Sequence, residues 1–149
     1  TQAREIGGLP VLSAVYSGPG VSPTGLFDPA AAGVGTHTIR YTFTAANGCT
    51  HFSEQTIEVW PRPVAKINLT TLSCEKNTIT FISNGSVSNA NTLSTWNWNF
   101  GDGTPPLTVA NNNPVSHIYA GYGTYNVSLT VTNNRGCISL PQSLPLTVN

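Results

Sequence analysis

The side chains that could support catalysis are few in this sequence and lie far apart. No pair of carboxylates has a spacing that suggests a general acid beside a general base, and the histidines show no metal-ligand spacing. No serine lies in a G-x-S-x-G turn, and no glycine-rich loop carries the lysine of a phosphate-binding loop. We therefore predict no enzyme and no cofactor. The residues considered are Glu5, Asp28, Glu54, Glu58, Glu75, Asp102, His37, His51 and His117.

Calcium is the metal that the remaining oxygen ligands would suit best. Asp28, Glu75 and Asp102 could join asparagine and main-chain carbonyl oxygens as hard ligands. No D-x-D-x-D run is present, however, and such a run is what usually concentrates carboxylates around calcium. The sequence therefore predicts no dedicated metal site.

Charge argues against two classes of partner. Six Lys and Arg balance six Asp and Glu, and charged residues make up only 8% of the 149-residue chain. Nucleic acids and anionic membranes are bound mainly through clusters of Lys and Arg, and the chain contains no such cluster. It also contains no apolar run of about 18 residues. We expect neither nucleic-acid binding nor membrane insertion.

An internal repeat gives the fold class. Residues 35–49 (GTHTIRYTFTAANGC) align without a gap to residues 123–137 (GTYNVSLTVTNNRGC). Each copy alternates apolar and polar residues, as a half-buried strand does, and then turns at a glycine, Gly48 or Gly136. No window has a convincing helical period. The repeat predicts an all-β chain of two tandem immunoglobulin-like β-sandwich modules.

Prolines mark the expected boundary between the modules. Pro61 and Pro63 cannot donate main-chain hydrogen bonds to a central strand and favour a stiff, extended linker. We therefore predict one module over residues 1–63 and a second over residues 64–149. The first module has far fewer residues before its repeat than the second, so we expect it to be truncated at its N-terminus. The alternative is a naturally shorter module in which Cys49 is a buried free thiol.

The second module resembles the PKD domain, a β-sandwich of surface and secreted proteins. The likeness rests on W-x-F-G-D-G at 98–103, P-x-x-H-x-Y at 114–119 and the alternating strand at 121–131, with Asn99 where the family often has Asp. Strand aromatics usually pack inside, so we interpret the motif as scaffold. Its residues are Trp98, Phe100, Gly101, Asp102, Gly103, His117, Tyr119 and Tyr125.

The first module is similar to the Ig-like repeats of large adhesin-like surface proteins of gliding Bacteroidetes. The likeness is carried by residues 16–21, 27–33 and 35–39 (YSGPGV, FDPAAAG and GTHTI). Such proteins are commonly secreted and attached to the cell surface. The resemblance therefore implies an extracellular or cell-surface location.

The chain contains three cysteines, so at least one of them cannot take part in a disulfide within the chain. Cys74 and Cys137 lie in the second module, and a bridge between them would close a loop of about 60 residues, worth roughly 4 kcal/mol by chain entropy. Two free buried thiols are the alternative. Cys49 occupies the position equivalent to Cys137, but no second cysteine lies in its module, so we expect it to be unpaired.

These observations favour a non-catalytic structural or adhesive repeat unit of a large secreted surface protein. Its partners would be other repeats of the same polypeptide and, through weak contacts, extracellular proteins or polysaccharides. The alternative is a carbohydrate-binding accessory module of an extracellular hydrolase, for which Trp60, Tyr16 and Tyr122 are the candidate sugar contacts. A row of exposed aromatic rings on one face would favour that alternative.

Overall fold

A computed structural model describes residues 11–71, 78–84, 86 and 91–149. These residues form ten β-strands and one four-residue helix, so the predicted all-β class is confirmed. No helix among them is long and apolar enough to cross a membrane. The chain divides into two compact units, unit 1 (Thr1–Trp60) and unit 2 (Pro61–Asn149).

The described residues of unit 1, 11–60, form one antiparallel sheet. Its strands are β1 (Val11–Ser17), β2 (Gly35–Ala45) and β3 (Thr50–Val59), in the order β1-β2-β3. The helix α1 (Pro29–Ala32) precedes β2 and begins at Asp28, whose carboxylate accepts a hydrogen bond from the Ala30 amide at 2.9 Å. A short side-chain acceptor of this kind is the usual start of a helix.

The β-sandwich predicted for the first module is not observed in residues 11–60. Their strands form one layer, and Ala45 is the one fully buried apolar residue among them. The alternating pattern of β2 predicts an apolar face correctly, but the pattern carries no information about what covers that face. The second sheet of the predicted sandwich is therefore the part that residues 11–60 lack.

Unit 2 is a two-layered β-sandwich. One sheet has the strand order β10-β9-β6-β7, and the other has the order β4-β5-β8. All neighbouring strands are antiparallel, as expected where hairpins connect them. The strands are β4 (Asn68–Thr71), β5 (Thr78–Ile82), β6 (Leu93–Asn99), β7 (Leu107–Val109), β8 (Val115–Ile118), β9 (Gly123–Asn133) and β10 (Gln142–Val148).

The core of unit 2 lies between its two sheets. Along β9, Val127, Leu129 and Val131 are completely buried while the residues between them are not, which is the alternation expected from the sequence. Trp96 and Trp98 alternate in the same way along β6. They pack with Ile79, Phe81 and Val115 of the opposite sheet.

Two of the three cysteines lie among the described residues. Cys49 is an exposed free thiol and Cys137 is a half-buried free thiol. Cys74 lies outside the described residues. No disulfide is found among the described residues, and the Cys74–Cys137 disulfide stays a prediction.

Candidate functional site

The residues of the W-x-F-G-D-G and P-x-x-H-x-Y segments meet at one end of the unit 2 sandwich. Strand β6 ends at Asn99 and leads into the sharp turn Gly101–Gly103, and β8 carries His117 beside that turn. The Asn99 side-chain oxygen accepts the Gly101 amide hydrogen bond at 2.9 Å, which closes the start of the turn. The turn is thus fixed by side chains of the strand before it.

Asp102 is the centre of the hydrogen-bonding network. One carboxylate oxygen, Oδ2, accepts a hydrogen bond from His117 Nε2 at 2.7 Å. The other, Oδ1, accepts from the Thr104 hydroxyl at 2.6 Å and from the Thr104 amide at 3.1 Å. Both side chains of this hydrogen-bonded pair are largely shielded, with 11% of the Asp102 side chain and 15% of the His117 side chain exposed.

Aromatic rings hold His117 in place. Its imidazole stacks on the Phe100 ring with 3.9 Å between centroids and 4° between planes, and it meets the Tyr119 ring edge-on at 4.8 Å. Tyr119 in turn donates a hydrogen bond from its hydroxyl to the Phe100 carbonyl at 3.1 Å. The imidazole therefore contacts two aromatic rings while it binds Asp102.

Tyr125 completes the cluster from the neighbouring sheet. Its ring lies 4.3 Å from that of Tyr119, and its hydroxyl donates to the Gly121 carbonyl at 3.0 Å. Burial, together with the negative charge of Asp102, raises the pKa of Tyr119 above its ordinary value. The phenol is therefore a neutral hydrogen-bond donor and not a base.

The hydrogen bonds to Asp102 stabilise its charged form. Burial by itself would raise the pKa of this carboxyl group, but the hydrogen bonds from Thr104 and His117 outweigh burial and lower the pKa from 3.8 to about 2. Asp102 is therefore a permanent anion near neutral pH, held by its own neighbours.

The comparison with known protein families matches residues 60–148 to the PKD domain model. The chain belongs to the PKD domain family. The resemblance predicted for residues 64–149 is thereby confirmed. PKD domains are non-catalytic accessory domains that occur in extracellular bacterial proteins, including proteases.

Solved structures of PKD domains resemble the same part of the chain. The PKD1 domain of Vibrio anguillarum Epp is 26% identical, with a TM-score of 0.50, over 60% of this chain and 95% of that domain. The PKD1 domain of the Vibrio cholerae metalloprotease PrtV is 25% identical, with a TM-score of 0.50, over 60% of this chain and 99% of that domain. Fibronectin(III)-like modules of Clostridium thermocellum CbhA are 14% identical, with a TM-score of 0.46, over 99% of this chain and 82% of that one.

The PKD motif residues are used inside the fold. Trp98 is 1% exposed and Tyr119 is 1% exposed, while Asp102 and His117 bind each other. These side chains contact one another and the turn beside them, and their role as scaffold stays a prediction.

The residues discussed for metal binding are spread over the chain. Asp28 lies in unit 1, where its oxygen starts α1, and Asp102 lies in unit 2, where both of its oxygens have donors. Glu75 lies outside the described residues. Among the described residues, no three His, Cys, Asp or Glu side chains are grouped as a metal ion would require.

The three candidate sugar contacts differ in exposure and lie in different units. Tyr122 in unit 2 is 78% exposed. Tyr16 in unit 1 packs against Tyr41, with 4.8 Å between ring centroids, and Trp60 at the end of unit 1 is half-buried. A groove of about 420 Å³ in unit 2 is lined by Pro63, Val64 and Leu140 and offers no aromatic ring for stacking.

Sequence reasoning did not identify the two residues that anchor the motif turn. Thr104 supplies two of the three hydrogen bonds to Asp102, and Asn99 supplies the acceptor for Gly101. A side-chain oxygen that accepts from an amide two residues later is a recognised turn signal, so the contacts of Asn99 with Gly101 and of Asp102 with Thr104 could have been assigned from spacing alone.

Acid should weaken unit 2 through Asp102. A carboxylate whose pKa is lower in the folded than in the unfolded chain adds stability above its unfolded pKa, and that stability is lost as pH falls from about 4 towards 2. We expect Asp102→Asn to cost about 1 kcal/mol at pH 7, discounted for solvent beside the turn. Urea unfolding at a series of pH values between 2 and 7 measures this contribution.

The control for this titration is Asp28→Asn, which alters a carboxylate of unit 1 and leaves the motif turn intact. The unit 2 transition of that variant should follow the parent at every pH. A variant lacking the Asp102 carboxylate that loses stability in acid as steeply as the parent would contradict the assignment.

Proposed function

We propose that this chain is a non-catalytic structural repeat of a large secreted surface protein, in which it spaces other modules and makes weak contacts with extracellular proteins or glycans. The proposal rests on one observation: the chemically capable side chains of the PKD motif, Asp102, His117 and Tyr119, bind one another in the interior. They hold a turn in place and are not free to hold a ligand.

The surface of the four-stranded sheet supports the same proposal. Its outward residues along β6 and β9 are hydroxyl and amide side chains, among them Asn97, Asn99, Ser128 and Thr130. Strands β6, β7, β9 and β10 contain no Asp, Glu, Lys or Arg. A neutral, hydrophilic face suits repeated modules that must stay soluble at high local concentration and that make only weak, multivalent contacts.

The second candidate is an accessory module of an extracellular hydrolase. The similarity to a PKD domain of a metalloprotease favours it, since such a domain accompanies a catalytic one. A glycan-binding form of this role would need aromatic stacking, and Tyr122 is the one aromatic residue of unit 2 among the large exposed side chains. For the described residues of unit 2, the side chains therefore support the spacer better than a glycan-binding module.

Pulling the chain by its ends with an atomic-force microscope tests the spacer role. A load-bearing module should unfold in one cooperative event, because both sheets of unit 2 share one core. Its 89 residues would extend the tether by about 280 Å at roughly 3.5 Å per residue, less the folded span. Gradual extension without a force peak would contradict the proposal.

Affinity electrophoresis separates the two candidates. The spacer, whose contacts with glycans are weak, should be retarded only slightly by hydroxyethyl cellulose or soluble glycol chitin, and Tyr122→Ala should not change its migration. Retardation by either polysaccharide that Tyr122→Ala abolishes would instead support the glycan-binding accessory module.

A further inference from the structure

The sheet of unit 1 corresponds strand by strand to part of the unit 2 sandwich. Strands β1, β2 and β3 match β6, β9 and β10 in order and in register: Tyr16 pairs with Tyr41 as Trp98 pairs with Leu129. The pairs at the other end of the repeat also agree, because Gly35 faces Val59 as Gly123 faces Val148.

The turn after the repeated strand is the same in both units. The amide of the last strand residue, Ala45 or Asn133, donates to the carbonyl of the cysteine four residues later, at 2.9 Å and 3.0 Å. The amide of the intervening glycine donates back to the carbonyl of that last strand residue in both cases. The repeat seen in the sequence is therefore a repeat of main-chain structure.

The matching faces differ greatly in burial. In unit 2, Trp98, Leu129 and Leu146 are between 0% and 2% exposed, because the sheet β4-β5-β8 covers them. Of their counterparts in unit 1, Tyr16 is 37% exposed, Ile57 is 38% exposed and Tyr41 is half-buried. A face of the type that forms the core of unit 2 is thus accessible in unit 1.

We call this surface the open face, and it is partly covered at one end. There the main chain after β1 lies close to it, at Gly18 beside Ile39 and at Gly25 against the Tyr16 ring. At the other end, rings follow one another: Tyr41 and Phe43 are 6.0 Å apart, and Phe43 and His51 are 5.9 Å apart. The residues of the open face are Tyr16, Ile39, Tyr41, Phe43, His51 and Ile57.

Charge distribution favours self-association through this face. Side chains alternate between the two faces of a sheet, and the charged residues of β2 and β3 all fall on the opposite face. There Arg40 and Glu54 form an ion pair at 2.7 Å, and the Arg40 guanidinium lies 4.3 Å from the Phe52 ring centroid. Two open faces can therefore approach each other without bringing like charges together.

We propose that the open face is a self-association surface, and that the open faces of two copies of this chain pack together as a sheet-on-sheet core. Each copy supplies a three-stranded antiparallel sheet, which is the number of strands that covers the equivalent face in unit 2. The contact is two-fold symmetric, with Tyr41, Phe43 and His51 of each copy at its centre.

The size of the open face sets the strength of this contact. Three strands about 4.8 Å apart and about nine residues long present roughly 400 Å² per copy. Stable protein interfaces bury roughly 800 Å² per partner, so the pair is weak and its formation depends on concentration. Such a contact becomes populated where many copies are held close together.

Sedimentation equilibrium of the whole chain in reducing buffer tests the proposal, since a reductant prevents disulfide linkage through the exposed Cys49. The mean mass should rise from monomer towards dimer between about 10 μM and 1 mM. Phe43→Glu on the open face should keep the chain monomeric across this range. Phe52→Glu, on the opposite face and 49% exposed in the parent, should still dimerise.

A measurement on the unaltered chain guards against misfolding of the variants. Amide and side-chain NMR signals that shift with concentration should belong to Tyr41, Phe43, His51 and their neighbours on the open face. Constant mass over the whole range would overturn the proposal. So would concentration-dependent shifts located instead around Phe52 or on unit 2.

Discussion

Replacing Trp98 by alanine should destabilise unit 2 by about 3–5 kcal/mol, the largest effect expected of any single truncation in this chain. Trp98 is 1% exposed and lies between the two sheets, with its ring centroid 5.8 Å from that of Phe81. Truncation removes the buried surface of an indole and leaves a cavity that strands held by hydrogen bonds cannot close. Urea denaturation followed by far-ultraviolet circular dichroism measures the free energy of unfolding.

The matched control is Tyr122→Ala, which removes another large aromatic side chain from unit 2. Because Tyr122 is 78% exposed, its loss should change the free energy of unfolding by less than about 0.5 kcal/mol. A domain of this size has roughly 5–15 kcal/mol of stability in total. Equal effects of the two substitutions would show that the core is not where the structure places it.

The buried and exposed faces of the strands could be predicted because the alternation of apolar and polar residues lies within each strand itself. Val127, Leu129 and Val131 alternate with polar residues along β9, and all three are buried. Trp98 and Phe100 likewise alternate with Asn97 and Asn99 and point into the core. The turns were predictable for the same reason, since a glycine in the sequence marks each of them and takes positive φ in the structure.

Contacts between distant residues could not be predicted in this way. Asp102 and His117 are 15 residues apart, and each was assigned a structural role from its own segment alone. Their pairing depends on the placement of β8 beside the turn that follows β6, which is a property of the sandwich. The stacking of His117 on Phe100 depends on the same placement.

What packs against the apolar face of β2 in unit 1 could not be predicted from the sequence, for a related reason. The pattern of Ile39, Tyr41 and Phe43 predicts an apolar face, and the structure contains that face as half-buried residues. A period of two indicates which side chains share a face, but it does not identify their partners. Where the sequence lacks a second strong strand pattern, the presence of an opposite sheet can be determined only from the structure.

Replacing Gly101 by alanine should destabilise unit 2 by about 2–5 kcal/mol, although it adds only a methyl group. Gly101 has φ +76°, a conformation that costs another residue about 1–2 kcal/mol. A Cβ atom there would also lie 2.5 Å from the Asn126 carbonyl oxygen and 2.9 Å from the Asn126 amide nitrogen. Those atoms belong to the main chain of the central strand β9, so relief requires the turn and the strand to separate.

Gly103→Ala isolates the steric part of this effect. Gly103 also has positive φ, +87°, but a Cβ atom at that position would meet no atom within 4 Å. Its substitution should therefore cost only the conformational term of about 1–2 kcal/mol. Because Asp102 lies between the two glycines, separation of the turn from β9 should also weaken its contact with His117. The Gly101 variant should then lose the acid dependence of stability between pH 4 and 2, and the Gly103 variant should keep it. Equal free energies of unfolding for the two variants would show that β9 does not brace the turn.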